Sequence, residues 1–201
     1  MRRAIHHLKT ADPVLGGLIE NIGPYRIVYR TPNFDALVRS IVSQQLSSKA
    51  AATIYARVQA VSGGGHVAPD VLLRLRTPAL RKAGLSAQKI GYLRDLARLT
   101  CRGELNFQAL PNLSDDEVIG ALTQVKGIGV WTAHMFLIFA LRRPDVLPVG
   151  DLGIQSAIQR AWDLPERPKP KQVEEIGARW RPWCSVASWY LWSSLGGTAG
   201  V

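Results

Sequence analysis

Cysteine is scarce in this chain: its 201 residues include only Cys101 and Cys184. Two thiols cannot build a four-thiolate iron–sulfur cluster, and they are too few for the disulfide framework of a small secreted domain. Long apolar runs are also missing. The longest, residues 135–141, falls well short of the roughly 20 residues a bilayer-spanning helix needs. His6, His7 and His66 lack metal-ligand spacing, no Walker-type phosphate loop is present, and the reading is that no metal is bound. No stretch alternates apolar and polar residues between hairpin turns, so strands are not expected. Negative charge is short as well: 15 Asp and Glu stand against 25 Lys and Arg, a formal charge of +10. That balance favours a polyanionic partner, and the bases are spread along the chain, which points to a folded binding face and not a basic tail.

What is present reads as helix. With 47% apolar and 20% charged residues the chain is expected to fold, as a single domain over residues 1–201 or as two small lobes sharing a cleft. A first helix is expected over 13–20, followed by an irregular connection over 25–29. Phe34, Leu37, Val38, Ile41 and Val42 then fall at helical spacing. Gln44-Gln45-Leu46 forms a bend, and Ser47 or Ser48 caps the next helix, which stops at Gly63-Gly64-Gly65. Further helices are expected over 69–75, 78–83 and 87–99, and over 172–180 and 184–195. Residues 165–171 read as a solvated, proline-rich basic loop. The N-terminal Met1-Arg2-Arg3-Ala4-Ile5-His6-His7 has charge without the apolar core of a signal peptide. The expectation is a soluble intracellular chain, cytoplasmic in a bacterium or nuclear in a eukaryote, with no membrane partner.

The centre of the chain is residues 114–154. Ser114 and Glu117 are spaced as a capping box, and Val118, Leu122 and Val125 make one apolar stripe behind it. Lys126-Gly127-Ile128-Gly129 ends that helix with a turn whose backbone can approach a ligand closely. A second helix over 130–141 is apolar on nearly every face and is expected to be buried. Leu147-Pro148-Val149-Gly150-Asp151 then bends into a third helix.

A helix, a Gly-apolar-Gly hairpin and a second helix, followed by a Pro/Gly bend and an aspartate, resemble the helix-hairpin-helix superfamily of DNA base-excision glycosylases. The likeness covers residues 34–192, with the hairpin motif at about 114–141. Ile41-Val42-Ser43-Gln44-Gln45-Leu46-Ser47-Ser48-Lys49-Ala50-Ala51 is similar to the segment that enters the DNA stack. Leu80-Arg81-Lys82-Ala83-Gly84-Leu85-Ser86, with Lys89 and Tyr92-Leu93, matches the middle helices; Trp180-Arg181-Pro182-Trp183 and Leu191-Trp192 match the C-terminal end. Within the superfamily the best match is the alkylbase glycosylases of the bacterial 3-methyladenine type II and yeast kind.

The resemblance implies an all-α fold of two helical lobes around a central cleft. It implies a monomer that acts on duplex DNA carrying a damaged base. Asp151 would be the catalytic carboxylate. Cleaving an N-glycosidic bond develops positive charge on the sugar, which a carboxylate beside C1′ stabilises, and a helix N-terminus suits a charged stabiliser better than an acid. Asp after Gly at a helix start is equally an ordinary N-cap, and the two roles coexist. Asp145, beside Arg142, Arg143 and Pro144, reads as part of a solvated turn. Trp131 stands where bifunctional members carry the lysine that attacks C1′. A tryptophan cannot form a Schiff base, so water is the expected nucleophile, whether Trp131 lines the pocket or anchors the hairpin.

All six tryptophans lie after residue 130, and an electron-rich pocket suits a cationic alkylated purine. By resemblance Trp131, Trp192, His134 and Met135 line that pocket. Met135 and Leu152 stand where relatives show aromatics. Gln45, then Leu46, is the wedge that fills the gap left by a flipped nucleotide; its alternative is a buried glutamine at a helix bend. Gly127, Gly129 and Val130 would offer amides to the DNA backbone. Lys126, Thr132, Ser47 and Lys49 would offer side chains, although the lysines also read as solvated charges. No cofactor is expected for catalysis and no iron–sulfur cluster, but hairpin carbonyls are expected to hold a monovalent cation. The expected substrates are 3-methyladenine and then 7-methylguanine. The alternatives are a non-catalytic module that binds damaged DNA and a glycosylase for deaminated or mismatched bases.

Overall fold

The computed structural model describes residues 1–196, and all of its regular elements are helical. The chain opens with Arg2–Ala11 (α1) and Pro13–Ile22 (α2). Asp12 separates them and caps α2 through the amides of Val14 and Leu15, at 3.1 and 3.2 Å. An irregular stretch leads to Phe34–Ser43 (α3), and Ser47 then caps Ser48–Val61 (α4). Pro69–Arg74 (α5), Thr77–Lys82 (α6) and Ala87–Cys101 (α7) follow. A 3₁₀ turn at Leu110–Asn112 precedes Asp115–Thr123 (α8), whose start is the reciprocal Ser114–Glu117 box. The remaining helices are Val130–Phe139 (α9), Leu152–Ala161 (α10), Pro170–Gly177 (α11) and Cys184–Ser194 (α12), with a 3₁₀ turn at Ala178–Trp180.

Several boundaries differ from the sequence expectation. Helix α1 precedes the helix expected first. It carries little apolar surface, but Ala4 and Leu8, one turn apart, are fully buried. Helix α9 stops at Phe139 and not at Leu141, because Arg142 takes a left-handed conformation (φ 58°) and the Arg143 amide bonds back to Leu137 O at 2.9 Å. Its first two residues are also exposed, Val130 by 53% and Trp131 by 50%, where a buried helix was expected. Helix α11 begins at Pro170, inside the expected loop, since proline is favourable in a first turn. Of the two cysteines, Cys184 is buried and Cys101 is exposed.

The chain divides into two compact units. The first joins residues 1–29 to the chain from Leu137 onward, and the second is the continuous segment 30–136. In the first, α2, α10 and α12 pack around Leu15, Ile154, Ile158, Tyr190 and Leu191. The buried Trp180 donates from Nε1 to Asp12 Oδ2 at 2.9 Å, which ties the C-terminal region to the α1–α2 junction. In the second, α7 is central, packing on α3, α5 and α6, and Leu37, Ile41, Leu72, Leu80, Leu93 and Leu96 are buried at the core. Each such side chain contributes about 1.5–3 kcal/mol on burial.

One carboxylate is buried in the second unit. Asp35 accepts from Tyr55 Oη, from the Val67 amide at 3.2 Å and from Arg39 Nε at 3.3 Å, with His66 Nδ1 also 3.3 Å away. Burial pushes its pKa up, but these partners together outweigh burial and hold it below the usual carboxylate value. No helix among the described residues is long and apolar enough to cross a membrane.

Candidate active site

Asp151 lies in the first unit, at the bend that opens α10. The bend is made by local bonds: the Val149 amide to Leu147 O and the Asp151 amide to Pro148 O, both 2.9 Å. The buried Gln155 closes it from below, donating from Nε2 to Val149 O at 2.9 Å. Asp151 is only 8% exposed. Its Oδ1 accepts from the Ile154 amide at 2.8 Å, an N-cap bond, and from Trp192 Nε1 at 2.9 Å. Trp192 in turn stacks on Phe139, with ring centroids 5.8 Å apart and 27° between planes. Gly153 leaves space for this arrangement, because a Cβ there would stand 3.0 Å from Asp151 Oδ1 and 3.1 Å from Trp192 Cδ1. One carboxylate is thus an N-cap and a side chain locked by an aromatic donor, which is how a charge is held still beside a reacting atom.

The second unit carries the hairpin and the bend after α3. Val118, Leu122 and Val125 are buried as one stripe, and Ile128 at the hairpin tip is 4% exposed. Lys126, Gly127, Gly129 and Val130 stay on the surface. The Lys126 amide donates to Asp95 Oδ2 at 2.9 Å. Gly127 has φ 81°, and the Tyr92 ring lies over its α-carbon so closely that a Cβ would fall 2.1 Å from Cδ2. First-turn amides of a helix have no intrahelical acceptors, so a hairpin leading into α9 is suited to an anion. At the other bend Gln45 is exposed with φ 57°, and Leu46 is 39% exposed. A non-glycine residue held there costs about 1–3 kcal/mol and marks a conformation its surroundings impose.

Both features, the hairpin-to-aspartate run and the strained bend, fall within residues 38–182, which match the family model for HhH-GPD superfamily base excision DNA repair proteins. The chain belongs to this superfamily. Among HhH-GPD relatives, DNA-3-methyladenine glycosylase 1 of Schizosaccharomyces pombe is 36% identical over 179 residues, covering 88% of this chain and 78% of its own. The solved structure of the S. pombe 3-methyladenine DNA glycosylase Mag1 in complex with abasic DNA superposes with a TM-score of 0.87 at 34% identity, covering 98% of both chains. The structure of the Bacillus halodurans DNA-3-methyladenine glycosidase gives the same TM-score at 39% identity, over 98% of this chain and 90% of that one. The all-helical HhH-GPD fold expected from the sequence is the fold observed.

The expected site residues of this HhH-GPD chain fall in both units. Asp151 and Trp192 meet directly. Trp131, His134 and Met135 lie on the second unit's part of α9, with the last two half-buried. Burial holds the His134 imidazole below its usual pKa, with Asp115 pulling the other way. Trp131 is half exposed. Gln45 is likewise no buried bend residue. Ser47 caps α4 through the Ala50 amide at 3.4 Å, and Lys49 is exposed one turn in.

Two expectations are corrected. Thr132 is only 5% exposed, because the helical turn after Trp131 carries it inward, so its hydroxyl is not presented to a phosphate. Asp145 is not a solvated turn residue: it pairs with Arg181 at 3.0 Å and accepts the Cys184 amide at 3.3 Å, and Arg181 also holds Glu174 at 2.9 Å. Sequence reading missed the supports, namely Gly153, Gln155 and Phe139 around Asp151, and Asp95 and Tyr92 behind the hairpin. Lys89 and Tyr92 had stood out only as matches to the family. No cluster of three or more His, Cys, Asp or Glu side chains among the described residues is placed to hold a metal ion.

Proposed function

We propose that this chain is a monofunctional DNA glycosylase that hydrolyses the N-glycosidic bond of alkylated bases in duplex DNA and so initiates base excision repair. Its substrates are 3-methyladenine and then 7-methylguanine. The observation that carries the reading is the buried Asp151 carboxylate, fixed by the Ile154 amide and Trp192 Nε1, in a chain of this superfamily whose relatives bear the names of 3-methyladenine glycosylases. DNA as partner is supported by the S. pombe relative bound to abasic DNA and by the charge of +10. The chain acts as a monomer, in the cytoplasm of a bacterium or the nucleus of a eukaryote.

In the reaction the C1′–N bond breaks and its electrons leave with the base. A purine that is already cationic departs neutral, so no general acid is needed. Positive charge remains on the sugar, where the Asp151 carboxylate stabilises it. Water adds its oxygen to C1′ and gives a proton to Asp151 or solvent, leaving an abasic site. Gln45 and Leu46 fill the stack after the nucleotide is extruded. The amides of the exposed residues Gly127, Gly129 and Val130, with Lys126, Ser47 and Lys49, hold the backbone. In the first unit, Trp192 beside Asp151 is the residue that meets the base. The carbonyls of Val125 and Gly127 each accept one hydrogen bond, from the Ile128 amide and Gln44 Nε2, and keep a second lone pair. They suit a monovalent cation as oxygen ligands, which would help neutralise a phosphate; catalysis itself uses no cofactor and no iron–sulfur cluster.

The direct test is chromatography of bases freed from methylated duplex DNA. Release of 3-methyladenine is expected; binding without release would make the protein a recognition module, and release of only deaminated bases would move the substrate class. Because Trp131 offers no amine, borohydride is expected to trap no covalent enzyme–DNA adduct, and the abasic strand is expected to stay intact until treated with alkali. A trapped adduct would overturn the monofunctional assignment.

A further inference from the structure

The bend that carries Gln45 and Leu46 is held from two sides within the second unit. The end of α3 leaves carbonyls without helical partners, and Lys89, in the first turn of α7, takes two of them: Nζ donates to Val42 O and Gln44 O, each at 2.7 Å. The Leu46 amide closes the turn on Ser43 O at 3.1 Å. Gln44 then reaches the hairpin, donating from Nε2 to Gly127 O at 2.8 Å across 83 residues of sequence. On the hairpin side, Tyr92 packs on the Gly127 α-carbon and Asp95 accepts the Lys126 amide. Lys89, Tyr92 and Asp95 follow one another at spacings of three residues along α7, so they share a face. That face grips the bend through Lys89 and the hairpin through Tyr92 and Asp95, while Gln44 joins bend to hairpin directly.

We propose that Gln44 and Lys89 are positioning residues that fix the distance and orientation of the Gln45–Leu46 step relative to the phosphate-binding hairpin, so that gripping the backbone and opening the stack occur in register. This rests on the proposed glycosylase reading, in which Gln45 or Leu46 enters the duplex. A wedge works only if its base resists the tendency of the bases to restack. Gln45 sits in a conformation that its neighbours must impose, and the two Lys89 bonds and the Gln44 bond are the polar ties that do so. Lys89 is partly desolvated by this role, and burial lowers its pKa. Neither residue touches the reacting atoms.

The test compares Gln44→Ala, Lys89→Met and Lys89→Arg with the wild type on two duplexes. In one the methylated purine is paired and stacked; in the other it sits in a bulge and is already largely extrahelical. Single-turnover release by Gln44→Ala and Lys89→Met is expected to fall roughly 10- to 100-fold on the paired substrate, the scale of a misplacement of about 1 Å. On the bulged substrate, where little unstacking is needed, it is expected to stay within about 3-fold of wild type. Lys89→Arg keeps a cationic donor and is expected to recover most of the loss. A 2-aminopurine beside the lesion reports unstacking independently of cleavage, and its fluorescence rise on binding is expected to shrink in the same two variants. Equal losses on both duplexes, or an unchanged fluorescence rise, would overturn the proposal. If the wild type releases base from neither duplex while the fluorescence still depends on Gln44 and Lys89, the positioning role stands and the glycosylase reading is what fails.

Discussion

Asp151→Asn is expected to slow release of 3-methyladenine by roughly 10²- to 10⁴-fold, the range associated with losing a positioned acid–base group, while leaving the fold and duplex binding intact. The substitution separates the two roles of the residue. Asparagine is as good an N-cap as aspartate, and its Oδ1 can still accept from the Ile154 amide and from Trp192 Nε1, the two donors that Asp151 Oδ1 serves. What it removes is the negative charge. A melting temperature close to wild type combined with a collapsed single-turnover rate would assign the charge to the chemistry. A rate within about 3-fold of wild type would mean that Asp151 is only a cap and that the catalytic carboxylate lies elsewhere. Asp151→Ala is the less informative change, because it also removes the cap, at about 1 kcal/mol, and strips Trp192 Nε1 of its acceptor.

Gly127→Ala is expected to destabilise the protein by about 2–6 kcal/mol and to abolish tight DNA binding. Two costs add. The backbone at Gly127 has φ 81°, and forcing a residue with a side chain into such a conformation costs about 1–3 kcal/mol. The new methyl would also fall 2.1 Å from Tyr92 Cδ2 and 2.3 Å from Cε2, an overlap that requires ring or hairpin to move, at about 1–3 kcal/mol. The double variant Gly127→Ala, Tyr92→Ala removes the overlap and retains the strain, so urea melts of the single and double variants divide the two. If Gly127→Ala melts like wild type and binds duplex DNA normally, the hairpin is far more plastic than its packing indicates.

Much of this was legible in the sequence because it was local. The Ser114–Glu117 box, the Ser47 or Ser48 cap and the Gly127-Ile128-Gly129 turn are signals within a few residues; α8 starts after Ser114, α4 after Ser47 and α9 at Val130 as they predict, although α8 ends at Thr123, short of Val125. Helix α1 was not legible: its core contribution is little more than Ala4 and Leu8, and what buries it, α2 and the 3₁₀ turn at Ala178–Trp180, is partly at the far end of the chain. Thr132 misled because it follows the hairpin directly and carries a hydroxyl, although the helical step after Trp131 rotates it into the interior. The ties of Gln44 and Lys89 join residues 83, 47 and 45 positions apart, and a lysine read alone is assumed to be solvated.

The division of the chain also bears on its synthesis. The second unit is one uninterrupted stretch, so α7 and the helices it packs on, α3, α5 and α6, can fold together once that stretch has cleared the ribosome. Helices α1 and α2 are made first, but α1 packs on the 3₁₀ turn at Ala178–Trp180 and α2 on α10 and α12, all of which are made late. The N-terminal helices must therefore wait, with Leu8 and Leu15 uncovered, while the whole of the second unit is built. Limited proteolysis of chains stalled beyond residue 136 should find a resistant 30–136 segment behind a cleavable N-terminus, and protection of both ends together only when translation is complete.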